Sequence, residues 1–273
     1  MRYVTLDVFT DAPFGGNPLA VVLDADGLTP RRMQQLAAEF GYSETVFVLP
    51  PAHPGSDATL RIFTPTTELP FAGHPNVGAA LALTDGAERR LRFDEGVGTV
   101  EVQVAQGQAE LAAPQRYRVL GSAEPQAVAH ACGLHLRDLA TTPVVASAGI
   151  PFVLAQVVSV ERLAQARPAG RVGDHGATGV LLHAPARAGT VRARMFAPGV
   201  GVPEDPATGS AALALAGRLA TPGAAGRWAV HQGVELGRPS VLHVRADGSG
   251  RTWVAGSAVQ IMAGELLVGH DGG

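Results

Sequence analysis

The chain repeats itself. Arg61-Ile62-Phe63-Thr64-Pro65 matches Arg194-Met195-Phe196-Ala197-Pro198 at an offset of 133 residues, and Pro70 and Pro203 keep that offset. Gly78-Ala79-Ala80-Leu81-Ala82-Leu83 then matches Ser210-Ala211-Ala212-Leu213-Ala214-Leu215 at an offset of 132. In a chain of 273 residues the period is close to half the length. Each copy is therefore the size of a domain, not of a solenoid unit. The expected organisation is two similar lobes, 1–117 and 118–273, divided near Pro114 and Gly121-Ser122, with the last strand free to pack back on the first lobe.

Within each lobe the hydrophobic pattern is mixed. Val4 to Phe9, Thr45 to Leu49, Leu60 to Phe63, Leu91 to Phe93 and Thr99 to Val104 read as strands. Thr29 and Pro30 open a helix, Met33, Leu36, Ala37 and Phe40 give it one apolar face, and Gly41 stops it. Val77 to Leu83 and Ala211 to Leu219 differ, being small and apolar on nearly every side. A helix apolar all round is a buried helix. The expected class is α+β, each lobe a curved sheet around one buried helix.

Composition excludes several chemistries. All 21 basic side chains are arginine, which removes Schiff-base catalysis and a phosphate-gripping lysine. One cysteine, Cys132, permits no intrachain disulfide, no cysteine-rich zinc site and no two-thiol acid/base pair. Cys132 shares an apolar stripe with Val128 and Ala131 and reads as core. His130, Cys132 and His135 make no metal cluster, because helix positions five apart point about 140° away from each other; no metal is expected. Gly199-Val200-Gly201 lacks the third glycine of a dinucleotide loop, since Glu204 stands there. A net charge of -3 gives no reason to expect nucleic acid or an anionic membrane as partner. Met1 to Phe9 is not a targeting signal and no stretch is long enough to span a bilayer, so a cytoplasmic protein is expected.

The candidate site residues precede the two buried helices. Pro70-Phe71-Ala72-Gly73-His74-Pro75-Asn76 and Pro203-Glu204-Asp205-Pro206-Ala207-Thr208-Gly209-Ser210 read as loops, each with a glycine just before its helix. The first amides of a helix lack internal partners and carry the positive end of its dipole, so they suit a carboxylate or an oxyanion. Gly73 and Gly209 read equally well as turn glycines, and His74 and Asp205 as ordinary loop and turn residues. Glu44 precedes an apolar strand, where partial desolvation raises a carboxyl toward acid/base use. On spacing alone it reads as a solvent-facing strand-start glutamate.

These blocks resemble the PhzF family of phenazine-biosynthesis-like proteins, within the diaminopimelate epimerase-like fold. The matching pieces are Asp7-Val8-Phe9-Thr10 with Gly15-Gly16-Asn17-Pro18, Ser43-Glu44-Thr45, Glu68-Leu69-Pro70-Phe71-Ala72-Gly73-His74-Pro75, Glu204-Asp205-Pro206-Ala207-Thr208-Gly209-Ser210, and Gln232-Gly233 with Gly237-Arg238-Pro239-Ser240. The resemblance implies two barrel-like lobes with the active site between them, a cofactor-free isomerase and a homodimer. It implies that Glu44 moves a proton between carbons of a small carboxylate such as 2,3-dihydro-3-hydroxyanthranilate. It also implies that Gly73, His74, Asp205, Gly209 and Ser210 bind that substrate. Two other readings stay open: a two-base racemase or epimerase in which Asp205 or His74 replaces a thiol, and a ligand-binding member without turnover.

Overall fold

The computed structural model describes residues 1–170, 176–220 and 223–267. The chain divides into two compact units, residues 1–112 with 255–273, and residues 113–254. The lobe boundary expected after residue 117 thus differs by five residues. Residues 113–117 go with the second unit because Ala113 N donates to Thr252 O and Tyr117 N to Gly250 O.

The first unit runs β1 (Arg2–Val8), β2 (Asn17–Val22), α1 (Pro30–Phe40), β3 (Glu44–Leu49), β4 (Ala58–Phe63), β5 (Glu68–Leu69), α2 (Gly73–Thr84), β6 (Arg89–Glu95), β7 (Gly98–Ala105) and β8 (Gln108–Ala112). The second runs β9 (Arg118–Ser122), α3 (Pro125–Ala131), β10 (Val144–Ser147), β11 (Pro151–Gln156), α4 (Val160–Gln165), β12 (Val180–Arg187), β13 (Thr190–Ala197), β14 (Val202–Asp205), α5 (Gly209–Leu219), β15 (Gly226–Gln232) and β16 (Ser240–Ala246). In β17 (Thr252–Gly256) the chain passes back to the first unit, where β18 (Ala258–Glu265) pairs antiparallel with β1.

The two units share one topology. β1–β2 and β10–β11 are antiparallel, β2–β3 and β11–β12 parallel, β3–β4 and β12–β13 antiparallel. β4–β5 and β13–β14 are antiparallel, and β4–β6 and β13–β15 parallel. Each parallel pair is joined by a crossover carrying a helix, as parallel strands require. The strand register agrees with the 133-residue offset. The Ala/Leu run does not: α2 starts at Gly73 and α5 at Gly209, an offset of 136. The second unit carries three more residues before its short strand, and the 3-10 turn Pro198–Val200 lies in that stretch. The Ala/Leu match is therefore out of structural register, and Pro70 corresponds to Pro206 rather than to Pro203.

α1 forms where its caps place it. Thr29 Oγ1 accepts from Arg32 N at 3.3 Å, and Gly41 closes the end in the left-handed region at φ 66°. Met33, Leu36 and Ala37 pack in one cluster with Phe47 and Phe63. α2 is buried continuously from Gly73 to Leu81. Small residues make that possible: a Cβ on Gly78 would sit 2.4 Å from Leu19 Cδ2. The segments expected as loops before both helices are partly helix and strand. Gly73 to Asn76 form the first turn of α2, Gly209 and Ser210 that of α5, and Asp205 ends β14. Pro75 fits that first turn, where its missing N–H removes no helix hydrogen bond.

Candidate active site

In the first unit, strand pairing brings three segments together. β2 and β3 run parallel with Leu19 opposite Glu44, so Asn17 at the head of β2 lies close to Ser43 and Glu44. The first turn of α2 supplies His74. Ser43 Oγ donates to Asn17 Oδ1 at 2.8 Å, which turns the Asn17 amide nitrogen toward His74 Nδ1, 3.4 Å away. His74 Nδ1 is then the acceptor of its ring, and Nε2 carries the hydrogen. That Nε2 lies 3.5 Å from Glu44 Oε2, within ion-pair range and longer than a closed hydrogen bond. Asn17 is fully buried and His74 is 3% exposed. Burial pushes the His74 imidazole down to about 3, so it is neutral through the physiological range. A neutral histidine with its tautomer held from behind can donate to Glu44, or to a reacting group beside it, without taking up a proton itself.

Gly73 belongs to the same turn. The N-cap of α2 is Ala72, whose side chain offers no acceptor, so the N-cap itself leaves the amides that open this helix uncapped. Asn17 and Ser43 are site residues that spacing alone did not single out. One signal was available for Asn17, a polar residue heading an otherwise apolar strand, Asn17–Val22.

In the second unit, Asp205, Gly209 and Ser210 cluster about the start of α5. Thr208 Oγ1 donates to Asp205 Oδ2 at 2.5 Å and so does not cap the helix. Gln232 Nε2 donates to Asp205 O at 2.8 Å and to Thr208 Oγ1 at 3.1 Å, while Gln232 Oε1 accepts from Thr208 N at 3.4 Å. Asp205 is buried, and Ser210 is half-buried. The register places Thr45 and Val180 opposite Phe63 and Phe196, so Gly179 is the counterpart of Glu44. A Cβ there would sit 2.5 Å from Phe196 O and 2.6 Å from Met195 Cε. No side chain fits at that position, and the glutamate has no duplicate.

Cys132 is 1% exposed, and burial pushes its thiol up to about 12, which leaves it inert. Among the described residues no cluster of three or more metal-ligating side chains occurs.

His74 predicts an acid-side stability loss. Its folded value near 3 lies below the ordinary 6.5. Between those values the unfolded chain binds a proton that the native chain refuses, so stability falls as the pH drops from 6.5 toward 3. The buried His183, pushed down to about 4, acts in the same direction. Each contributes a slope of about 1.4 kcal/mol per pH unit. Urea titrations across this range are expected to give a shallower slope for His74→Gln than for the parent chain.

Comparison with known proteins places this geometry. The profile of the phenazine biosynthesis-like protein family matches residues 6–264. The trans-2,3-dihydro-3-hydroxyanthranilate isomerase of Pseudomonas aeruginosa is 40% identical over 265 residues, covering 91% of each chain. The crystal structure of a PhzF-family protein from Bacillus anthracis superposes with a TM-score of 0.89 at 25% identity, covering 98% of this chain and 99% of that one. A predicted epimerase from Pseudomonas aeruginosa superposes with a TM-score of 0.85 at 34% identity, over 98% of this chain and 99% of that one.

Proposed function

The chain belongs to the phenazine biosynthesis-like family and is an isomerase, and from that premise we propose that it moves a proton between carbons of a small cyclic carboxylate, with Glu44 as the carrier. The observation that carries this reading is the Ser43–Asn17–His74 chain ending on Glu44. It holds a carboxylate and a neutral donor side by side with fixed hydrogen positions. The carboxylate takes a carbon-bound proton, the electron pair left behind delocalises into the adjoining unsaturation, and the same carboxyl returns the proton to another carbon. His74 donates from Nε2 to the charge that develops and does not change protonation state. Gly73, in its uncapped helix turn, binds substrate oxygen through backbone amides. Gly209 and Ser210 bind a substrate carboxylate in the same way, and Asp205, held by Thr208, accepts from a substrate amino or hydroxyl group. The reaction needs no cofactor, and the protein works as a homodimer, as the family resemblance implies.

The substrate we propose is trans-2,3-dihydro-3-hydroxyanthranilate, the compound named for the relative that is 40% identical. The racemase reading, with Asp205 or His74 as the second base, has less support, since burial that holds the His74 imidazole down at about 3 makes it a weak base and Asp205 already accepts from Thr208. Incubation with this substrate in deuterium oxide tests the proposal. The expected result is isomerised product with solvent deuterium at the carbon that receives the proton. Inversion of one centre without migration would favour a racemase, and binding without turnover would favour a ligand-binding role.

A further inference from the structure

One buried acid is left over by this mechanism. Glu95 ends β6, and both of its carboxyl oxygens are buried without a hydrogen-bond partner among the described residues. Asn76, in the first turn of α2, is the side chain that lies against it. Asn76 is fully buried and donates from Nδ2 to Ala72 O at 3.0 Å, while its Oδ1 is another buried acceptor without a donor. With Glu95 ionised, the donor at hand is the Asn76 amide, which already serves Ala72 O, so three buried acceptors in this corner compete for it, a costly arrangement inside a protein.

The duplicated topology shows what the position does in the other unit. The parallel pairings set Asp94 opposite Thr59 and His231 opposite Arg192, so Glu95 and Gln232 are counterparts. The glycines that follow agree: a Cβ on Gly96 would meet Pro70 Cα at 2.9 Å, and one on Gly233 would meet Pro206 O at 2.7 Å. Gln232 is neutral, both donor and acceptor, and ties down the chain entering α5. A carboxylic acid that keeps its proton has the same shape and the same paired donor and acceptor.

We infer that Glu95 is a positioning residue that retains its proton and, as a neutral donor and acceptor, clamps the first turn of α2 through Asn76, from which His74 reaches Glu44. The surroundings agree. Desolvation pushes the Glu95 carboxyl up to about 8, against a smaller opposing pull from the Asn76 amide. The charged groups that line the same cavity are His53, Arg61, Glu68 and Asp94, and none bonds Glu95. Arg61 and Glu68 are closed on each other at 2.6 and 2.7 Å. Asp94 accepts from Ser56 Oγ at 2.8 Å and lies 3.4 Å from His53 Nδ1. From β7 the facing residue is Gly98, and from α2 the only titratable group of the first turn is the neutral His74.

The native chain therefore holds a proton that the unfolded chain loses near 4.5, so stability falls as the pH rises from 4.5 toward 8 and then levels off, while turnover falls as the pH rises through about 8. The test compares the parent chain with Glu95→Gln and Glu95→Leu. Glu95→Gln is expected to keep turnover within about twofold at neutral pH, to remove this carboxyl's share of the fall in melting temperature between pH 4.5 and 8, and to abolish the alkaline loss of kcat. Glu95→Leu is expected to lower kcat about tenfold at every pH, because Asn76 loses its partner and the first turn shifts. The infrared band of a protonated carboxyl, present in the parent at neutral pH, should vanish in both variants. An alkaline loss that persists unchanged in Glu95→Gln, or no protonated-carboxyl band in the parent, overturns the inference. The kcat arm rests on the roles proposed for Glu44 and His74. The melting and infrared arms need no substrate, so the two readings fail separately.

Discussion

Glu44→Gln is expected to lower kcat by about 10²–10⁴-fold while leaving KM much less changed. The substitution keeps the size and the polar outline of the side chain. It removes the one group in the Ser43–Asn17–His74 chain that can accept a proton from carbon. His74 cannot take over, because burial holds its imidazole neutral down to about 3 and its Nδ1 faces the amide of Asn17. Deuterium wash-in from solvent should fall in parallel with turnover, since both depend on the same transfer. Glu44→Asp retains the acid and withdraws it by one methylene, for which a loss of about 10²-fold is expected from misplacement alone. Steady-state kinetics with the proposed substrate, alongside mass spectrometry of product formed in deuterium oxide, give both readings. A Glu44→Gln chain within about tenfold of the parent would place proton transfer elsewhere, since even the smallest contribution expected of a general base exceeds that.

Arg194→Met is expected to destabilise the fold by about 3–5 kcal/mol, and its duplicate Arg61→Met by about 0–1 kcal/mol. The two arginines match in the sequence, and each grips a glutamate through Nε and Nη2. Arg61 holds Glu68 and Arg194 holds Glu204. The side chains of the first pair are 25% and 43% exposed, and those of the second 7% and 8%. Arg194 Nη1 also donates to Leu163 O, Ala164 O and Ala166 O at the end of α4. Its loss would leave one buried carboxylate without its partner and take a donor from three carbonyls, of which Leu163 O alone keeps a second, from Ala166 N, whereas water replaces the partner of Glu68. Removing both charges in Arg194→Met with Glu204→Leu should recover much of the loss, because the unpaired buried charge goes with it. Urea denaturation of the two single variants and the double variant measures all three. Equal costs for Arg61→Met and Arg194→Met would mean that burial does not set the value of these pairs.

Much of the fold was legible because its signals are local. Thr29, Pro30 and Gly41 bound α1 through backbone groups within four residues, and Glu124 caps α3 by accepting from the amides of Gln126 and Ala127. The all-round apolar runs identified α2 and α5, since burial on every side needs no knowledge of what does the burying. The strand match at Arg61 and Arg194 stayed true in three dimensions because paired strands keep register with their neighbours. The Ala/Leu match did not, because a run of small apolar residues aligns with itself at several offsets, and the extra Pro198–Val200 turn decides which is real. His74 read as a loop residue, whereas it stands in the first turn of α2.

For the candidate site, the sequence by itself determined which chemistries were open. Without lysine and with one cysteine, a carboxylate was left to move a carbon-bound proton, and the family resemblance pointed to Glu44. Only the tertiary structure decided how that carboxylate is served. Asn17, Ser43 and His74 lie 27, 1 and 30 residues from Glu44 along the chain. A parallel strand pair and a buried helix turn bring them together, and their hydrogen bonds assign the His74 tautomer. The protonation of Glu95 belongs to the same class. A glutamate at the end of a strand is ordinary in a sequence. It keeps its proton because folding removes water from its oxygens and leaves only the Asn76 amide, which already serves Ala72 O, in return, and neither event is written in the residues beside it.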